Sequence, residues 1–525
     1  MTKLSFPNKT EKALYFSMLF LSWLYMENTM YRTVVRKQDY WHVFHFLQYA
    51  FIALAVTAVI YLFAARRPGF GTWPEKKRWL KGFCSYEQLY ILYVFFWYIV
   101  CVIMRDIFVG GSWFKSNDPW MFITGVMAFL MVPMARYTSF HDTRKTIELL
   151  LHPIIIPFAL FTAYNLWRYF SGNMLIFPSG HHIFFENRFT ISYSNMHRNF
   201  LGRQNMVMLA FSLYMLLTQK PALKVVYAFC FPVFFFCLIL TNSRTSWYTA
   251  ALILVCAAFF LCWNALDNKK AVLRLAVGLL AAALVVAACH WLRGETFVWL
   301  DRAQTRVGYV DPLPADPAPA AQAAAASRAR PVYTLQSLSH TDARPDEAPI
   351  PALLSEEQQA SAASQARPFY DNISTIGNRL PLYRAAFQAM FSRKYQFFFG
   401  VTPMAVEACL KQYDGVLKDF NYGHAHNFFL QMGVAYGFPT MLATIAFAVS
   451  LLIRGVRLFF INRKKLFPGA WMIPLMALAF LASDMLEAGL NSDNDIFCAS
   501  FYLLAGWTVL LDQQSRDPKE KSGKL

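Results

Sequence analysis

Charge is what this sequence has least of. Asp, Glu, Lys and Arg make up 15% of its 525 residues, against about 25% in an ordinary soluble domain. That shortage, set beside 57% hydrophobic residues, excludes a soluble globule of this length. Paired cysteines are missing as well. None of the nine stands in a CxxC pair, and Cys101, Cys230, Cys237, Cys256, Cys262, Cys289 and Cys498 lie in or beside apolar runs. Neither a disulfide framework nor a zinc site is indicated. No HExxH or Walker A sequence occurs, and "GFG" at Gly69 has no phosphate-loop context. The halves 1–262 and 263–525 do not echo each other, so the internal repeat common in transporters is lacking too.

Long apolar runs are what the chain has instead. Stretches of about 20 residues can cross a hydrocarbon core of ~30 Å. They are expected near 13–30, 42–64, 88–108, 119–135, 147–168, 204–218, 222–240, 246–264, 271–291, 427–452, 470–488 and 496–511. The first run follows Lys3, Lys9 and Lys12 but has no small-residue cleavage site, so it reads as a retained span. The fold class expected is therefore an all-α polytopic membrane protein of about twelve transmembrane helices. With both termini inside, the inner connections and tails hold 26 of the 49 Lys and Arg, the short outer connections 10, and one long loop 13. Positive residues gather on the cytoplasmic side, so both termini are expected there. The same distribution turns the net charge of +18 into an orientation signal and argues against a nucleic-acid partner.

Four regions follow: spans one to nine over 1–292, an outer loop subdomain over 293–425, spans ten to twelve over 426–512, and a basic tail over 513–525. Inside the loop, residues 313–368 are rich in Ala, Pro, Ser and Gln. Too few apolar groups are present there to offset the entropy of ordering the chain, so this insert is expected to be disordered. Deleting about 315–365 should leave activity largely intact. Loss of activity in a variant that still inserts in the membrane would contradict that. After the insert, "NRLPLYRAAFQAMFSRKY" places Leu382, Ala385, Ala386, Met390 and Phe391 at helical spacing, as in an amphipathic helix lying on the membrane or roofing a cavity.

The outer side collects cations beyond what orientation asks for. Arg198 and Arg203 precede the sixth span, Arg244 sits in the tight polar turn "TNSRTSW", and Arg379 and Arg384 flank the start of the amphipathic stretch. Guanidinium forks match phosphate oxygens with paired hydrogen bonds, so an anion such as a lipid-linked diphosphate is a natural ligand. The plain alternative is arginines that snorkel to lipid head groups. His424 and His426 stand at the tenth span in "GHAHNFFLQMGVAYGFPT". They read as a polar anchor of the helix start, as a general base, or as a metal pair. The i, i+2 spacing of the last reading lacks an obvious carboxylate partner. Asp484 and Glu487 share a helical face near an outer end, in a solvated or hydrogen-bonded setting, with a proton relay as the alternative. "DND" at Asp493–Asp495 imitates the acidic motif of some nucleotide-sugar transferases, on three residues only.

Taken together, these segments resemble the O-antigen ligase superfamily. Its C-terminal signature is similar to His426-Asn427, nine residues, then Gly437-Phe438-Pro439, although the family often has glycine where this chain has Thr440. "LTNSRTSW" resembles the Thr-x-Ser-Arg-x-x-Trp ending of a central span, at Arg244. "GNRLPLYRAAFQAM" resembles the outer-loop Gly-x-Arg segment, at Arg379, and "NFLGRQNMVMLAF" is a looser match around Gly202 and Asn205.

The resemblance covers roughly 190–512. It implies a metal-independent, inverting transfer of a glycan from an undecaprenyl diphosphate carrier to a lipid A–core sugar hydroxyl, at the periplasmic face of a bacterial inner membrane and without a cofactor. On that reading His426 is the base, while Arg244 and Arg379 hold the diphosphate. Arg203, Arg198, Arg384, His424 and Asn427 support substrate. Repeat-unit polymerases and pilin glycosyltransferases share the signature. A lipid-glycan flippase is the alternative from another class.

Overall fold

The computed structural model describes residues 85–109, 140–170, 183–187, 190–193, 198–306, 379–413, 425–461, 466–486 and 496–516, with six isolated positions between 13 and 24. The spans expected near 42–64 and 119–135, the insert at 313–368, His424, Glu487 and Asp493–Asp495 lie outside the described residues. So does most of the span near 13–30.

Helices dominate. They run Tyr86–Val109 (α1), Phe140–Phe170 (α2), Arg198–Thr218 (α3), Pro221–Leu240 (α4), Arg244–Ala265 (α5) and Ala271–Arg306 (α6). After the insert come Leu380–Ser392 (α7), Lys394–Phe399 (α8), Val406–Tyr413 (α9), Phe428–Tyr436 (α10), Phe438–Val456 (α11), Met472–Asp484 (α12) and Ile496–Arg516 (α13). Among the described residues, seven helices are long and apolar enough to cross a membrane. One short antiparallel hairpin, Ile183–Asn187 (β1) with Thr190–Tyr193 (β2), stands in the loop before α3. The all-helical expectation did not include it.

Three expected spans change shape. The eleventh, expected near 470–488, is a helix of 13 residues, Met472–Asp484. The ninth was read as 271–291, but α6 continues to Arg306, about 54 Å at 1.5 Å per residue. Hydropathy falls after Trp291, yet Glu295, Arg302, Ala303 and Gln304 are good helix formers and carry the helix on. The tenth was read as one run over 427–452, and it is two helices broken at Gly437. Eight residues of continuous helix separate their ends by about 12 Å. A Cβ on Gly433 would nonetheless lie 3.3 Å from Met441 Cβ, so α10 turns back against α11.

The broken backbone is fully accounted for. Gly437 takes φ +93°, a region nearly closed to residues with side chains. Carbonyls stranded at a helix end need donors, above all in lipid. Val401 N–H donates to Val434 O and Thr402 N–H to Ala435 O, both at 2.9 Å. The Trp97 indole of α1 donates to Tyr436 O at 2.9 Å. Thr440 is fully buried, and its hydroxyl meets Tyr93 Oη at 3.0 Å and Tyr436 O at 3.1 Å. A glycine at that place could make neither bond.

At the far ends of α1, α11 and α13 lies a buried charge network. Arg454 grips Glu87 through Nε at 2.6 Å and NH2 at 2.9 Å, and reaches Asp512 through NH1 at 2.6 Å. Ser450 also donates to Glu87, and Arg516 Nε to Asp512 at 3.2 Å. Arg454 therefore does more than mark orientation. Its charge is matched inside the bundle, where leaving one partner alone typically costs about 3–5 kcal/mol.

Candidate functional site

The site forms at the opposite end of the bundle, where α10 begins. Asn427 caps that helix: its Oδ1 accepts from Leu430 N–H at 3.1 Å. The other end of the same amide donates to Met485 O at 3.0 Å. Both halves of this side chain are thus engaged in holding the helix start. Gln431, buried in α10, reaches back to accept from Ala425 N–H at 2.9 Å. Between these two pinned neighbours His426 is half-buried with φ +49°. The chain bends there instead of running extended, as an i, i+2 histidine pair would suit. Left-handed φ is uncommon without glycine, although histidine is among the residues enriched in it.

Arg379 arrives from α7. It occupies the N-cap position of that helix and its NH1 donates to Leu486 O, the carbonyl next to the one Asn427 holds. Consecutive carbonyls beyond α12 thus take one bond from Arg379 and one from Asn427, the residue after His426. The expected apolar face is present: Leu382, Ala385, Ala386 and Met390 are buried, joined by Ala389. Phe391 departs from it, being exposed and tilted against Phe397 and Phe438. Arg384 is on the exposed side of α7.

A second group forms around Arg203 and Arg244. Gly202 of α3 lies so close to the "TNSRTSW" turn that a Cβ would stand 2.5 Å from Ser243 Cβ. The turn is braced by Thr241 Oγ1 donating to Leu238 O at 2.7 Å and Ser243 Oγ to Ser246 Oγ at 3.0 Å. Asn242, at φ +50°, accepts from Arg293 of α6 at 3.0 Å. Arg293 also lies over the Trp247 ring at 5.3 Å; it was not among the expected residues, since no motif contains it. Asn205 turns its amide to Leu201 O at 2.9 Å within α3.

The two groups are connected. Arg203 lies over Phe200 at 4.7 Å and Phe497 at 5.9 Å. Phe497 of α13 packs on Phe480 of α12 at 5.2 Å, and α12 leads to Met485 and Leu486. Asp484 is fully buried at its end, which excludes the solvated half of the expected solvated or hydrogen-bonded setting.

Helix polarity adds to the cations. Arg244 is the first residue of α5, after the N-cap Ser243, and Arg379 caps α7. Arg198 is the first described residue of α3. A helix N-terminus carries partial positive charge, so the helix itself does not favour an arginine there, and the two together favour an anion nearby.

Cys409, on α9, is not part of this chemistry. Burial pushes its thiol up to about 11, with Arg393 pulling the other way. A raised pKa keeps it protonated and unreactive at neutral pH, because the thiolate is the nucleophile. Maleimide should label Cys409 in the folded protein far more slowly than a free thiol, and rapid labelling at pH 7 would contradict its burial.

Residues 228–445 match the family model described as O-antigen ligase. That segment runs from within α4 to the first turns of α11, and it contains Arg244, Arg379, Arg384, His424, His426 and Asn427, while Arg198 and Arg203 precede it. No curated protein matches the chain.

Proposed function

We propose that this member of the O-antigen ligase superfamily transfers a glycan from an undecaprenyl diphosphate carrier to a lipid A–core sugar hydroxyl at the periplasmic face of the inner membrane. The observation that carries the reading is the convergence of Asn427 and Arg379 on consecutive carbonyls, Met485 O and Leu486 O. It ties a guanidinium to the same segment as Asn427, the residue after His426.

In this reaction the anomeric carbon gains a bond to the acceptor oxygen as its bond to the diphosphate breaks. His426 takes the acceptor proton, a step in which a positioned base contributes ~10²–10⁴-fold. Negative charge grows on the departing diphosphate, where preorganised cations act most strongly. Arg379 and Arg244 supply it, supported by Arg203, Arg198 and Arg384. His424 orients the acceptor hydroxyl beside His426. The leaving diphosphate makes the glycosidic bond labile, so no cofactor enters the scheme.

The test is reconstitution in liposomes with an undecaprenyl diphosphate glycan and a lipid A–core acceptor. Coupled product supports the ligase reading. Product formed only from two donor molecules assigns a polymerase, and product formed only on pilin assigns a protein glycosyltransferase. Donor that crosses the vesicle without ever being coupled overturns the enzyme reading.

A further inference from the structure

We propose that Tyr383 is a positioning residue that fixes His426 and keeps it in register with Arg379, an assignment that rests on reading His426 as the base. Its hydroxyl donates to His426 O at 3.3 Å. Asn427 and Gln431 pin the residues on either side of His426 through Leu430 N and Ala425 N. Tyr383 alone among these three takes hold of the histidine's own peptide. A residue with φ +49° stays there only when its surroundings over-determine it, and the tyrosine hydroxyl supplies the contact from outside α10.

The position of Tyr383 on α7 gives this contact a second effect. Its N–H donates to Arg379 O at 2.9 Å, so arginine and tyrosine are one helical turn apart on a single rigid element. Arg379 grips Leu486 O while Tyr383 grips His426 O. The cation and the base are thereby spaced by one turn of α7. Leu382, Ala385 and Ala386 around Tyr383 are fully buried, so the helix cannot slide without opening its packing. Tyr383 needs no contact with the reacting atoms. It acts through the backbone of the residue that makes that contact.

Tyr383→Phe keeps the ring and removes only the hydroxyl. The variant, His426→Ala and the double variant are compared in the reconstituted transfer assay, with thermal unfolding measured alongside. Small displacements of a catalytic group cost large factors in rate, so Tyr383→Phe is expected to lower kcat roughly tenfold while KM for the donor and the unfolding midpoint stay unchanged. In the His426→Ala background the same substitution should cause no further loss, because the group it positions is gone. Carbethoxylation of His426, followed by mass spectrometry, reads the same restraint without turnover and should be faster in Tyr383→Phe. An unchanged kcat, or an equal loss in both backgrounds, overturns the proposal while leaving His426 as the base. Full activity in His426→Ala itself overturns the base reading, and Tyr383 falls with it.

Discussion

Replacing His426 by alanine should lower glycan transfer by ~10²–10⁴-fold, the range a positioned general base supplies, in a protein that still folds. The expectation of an intact fold comes from the backbone. Asn427, Gln431 and Ala425 provide the cap and back-bond at the start of α10, and Tyr383 holds the carbonyl of residue 426, not its ring. Removing the imidazole leaves all of these in place. Initial rates with saturating donor, and size-exclusion profiles in detergent, check the two halves of the claim. A His426→Ala protein that transfers glycan at the wild-type rate would remove the imidazole from the chemistry.

Gly437→Ala produces the other large effect, on folding. At φ +93° and ψ 160° a side-chain-bearing residue is strained by about 1–3 kcal/mol. Its Cβ would also stand 2.5 Å from the carbonyl carbon of Phe398. That backbone has no room to retreat, because Val401 and Thr402, just beyond it, are bonded to Val434 O and Ala435 O. Gly400 interlocks from the other side, where a Cβ would lie 2.5 Å from Ala435 O. Strain and overlap together should exceed about 3 kcal/mol, seen as a lower unfolding midpoint and loss of monodisperse protein. A Gly437→Ala protein with the wild-type midpoint would mean that the corner between α10 and α11 is soft.

Why one of these glycines was readable in the chain and its surroundings were not is a matter of distance along the sequence. The positions of α3, α4, α5 and α13 follow from apolar runs, because the bilayer imposes a length that local composition must meet. The corner at Gly437 sits within an unbroken run of hydropathy. Its carbonyls are satisfied by Trp97, Val401 and Thr402, and nothing local to "VAYGFP" announces those donors. Arg379 and Asn427 could be singled out by motif, but their common anchor at Leu486 and Met485 required the fold. Arg293 stood in no motif, and Tyr383, although inside "GNRLPLYRAAFQAM", was not singled out by it. Only the contacts that they make distinguish them from other arginines and tyrosines near a helix end.

The charge network around Arg454 bears on how the chain is assembled. Glu87 leaves the ribosome first, Arg454 follows 367 residues later, and Asp512 another 58 after that. Until the final helix is laid in, Arg454 has only one of its two carboxylate partners. The packing of α13 is thus tied to that of α1 and α11 through one guanidinium, and a chain truncated before α13 would leave Arg454 with a single carboxylate.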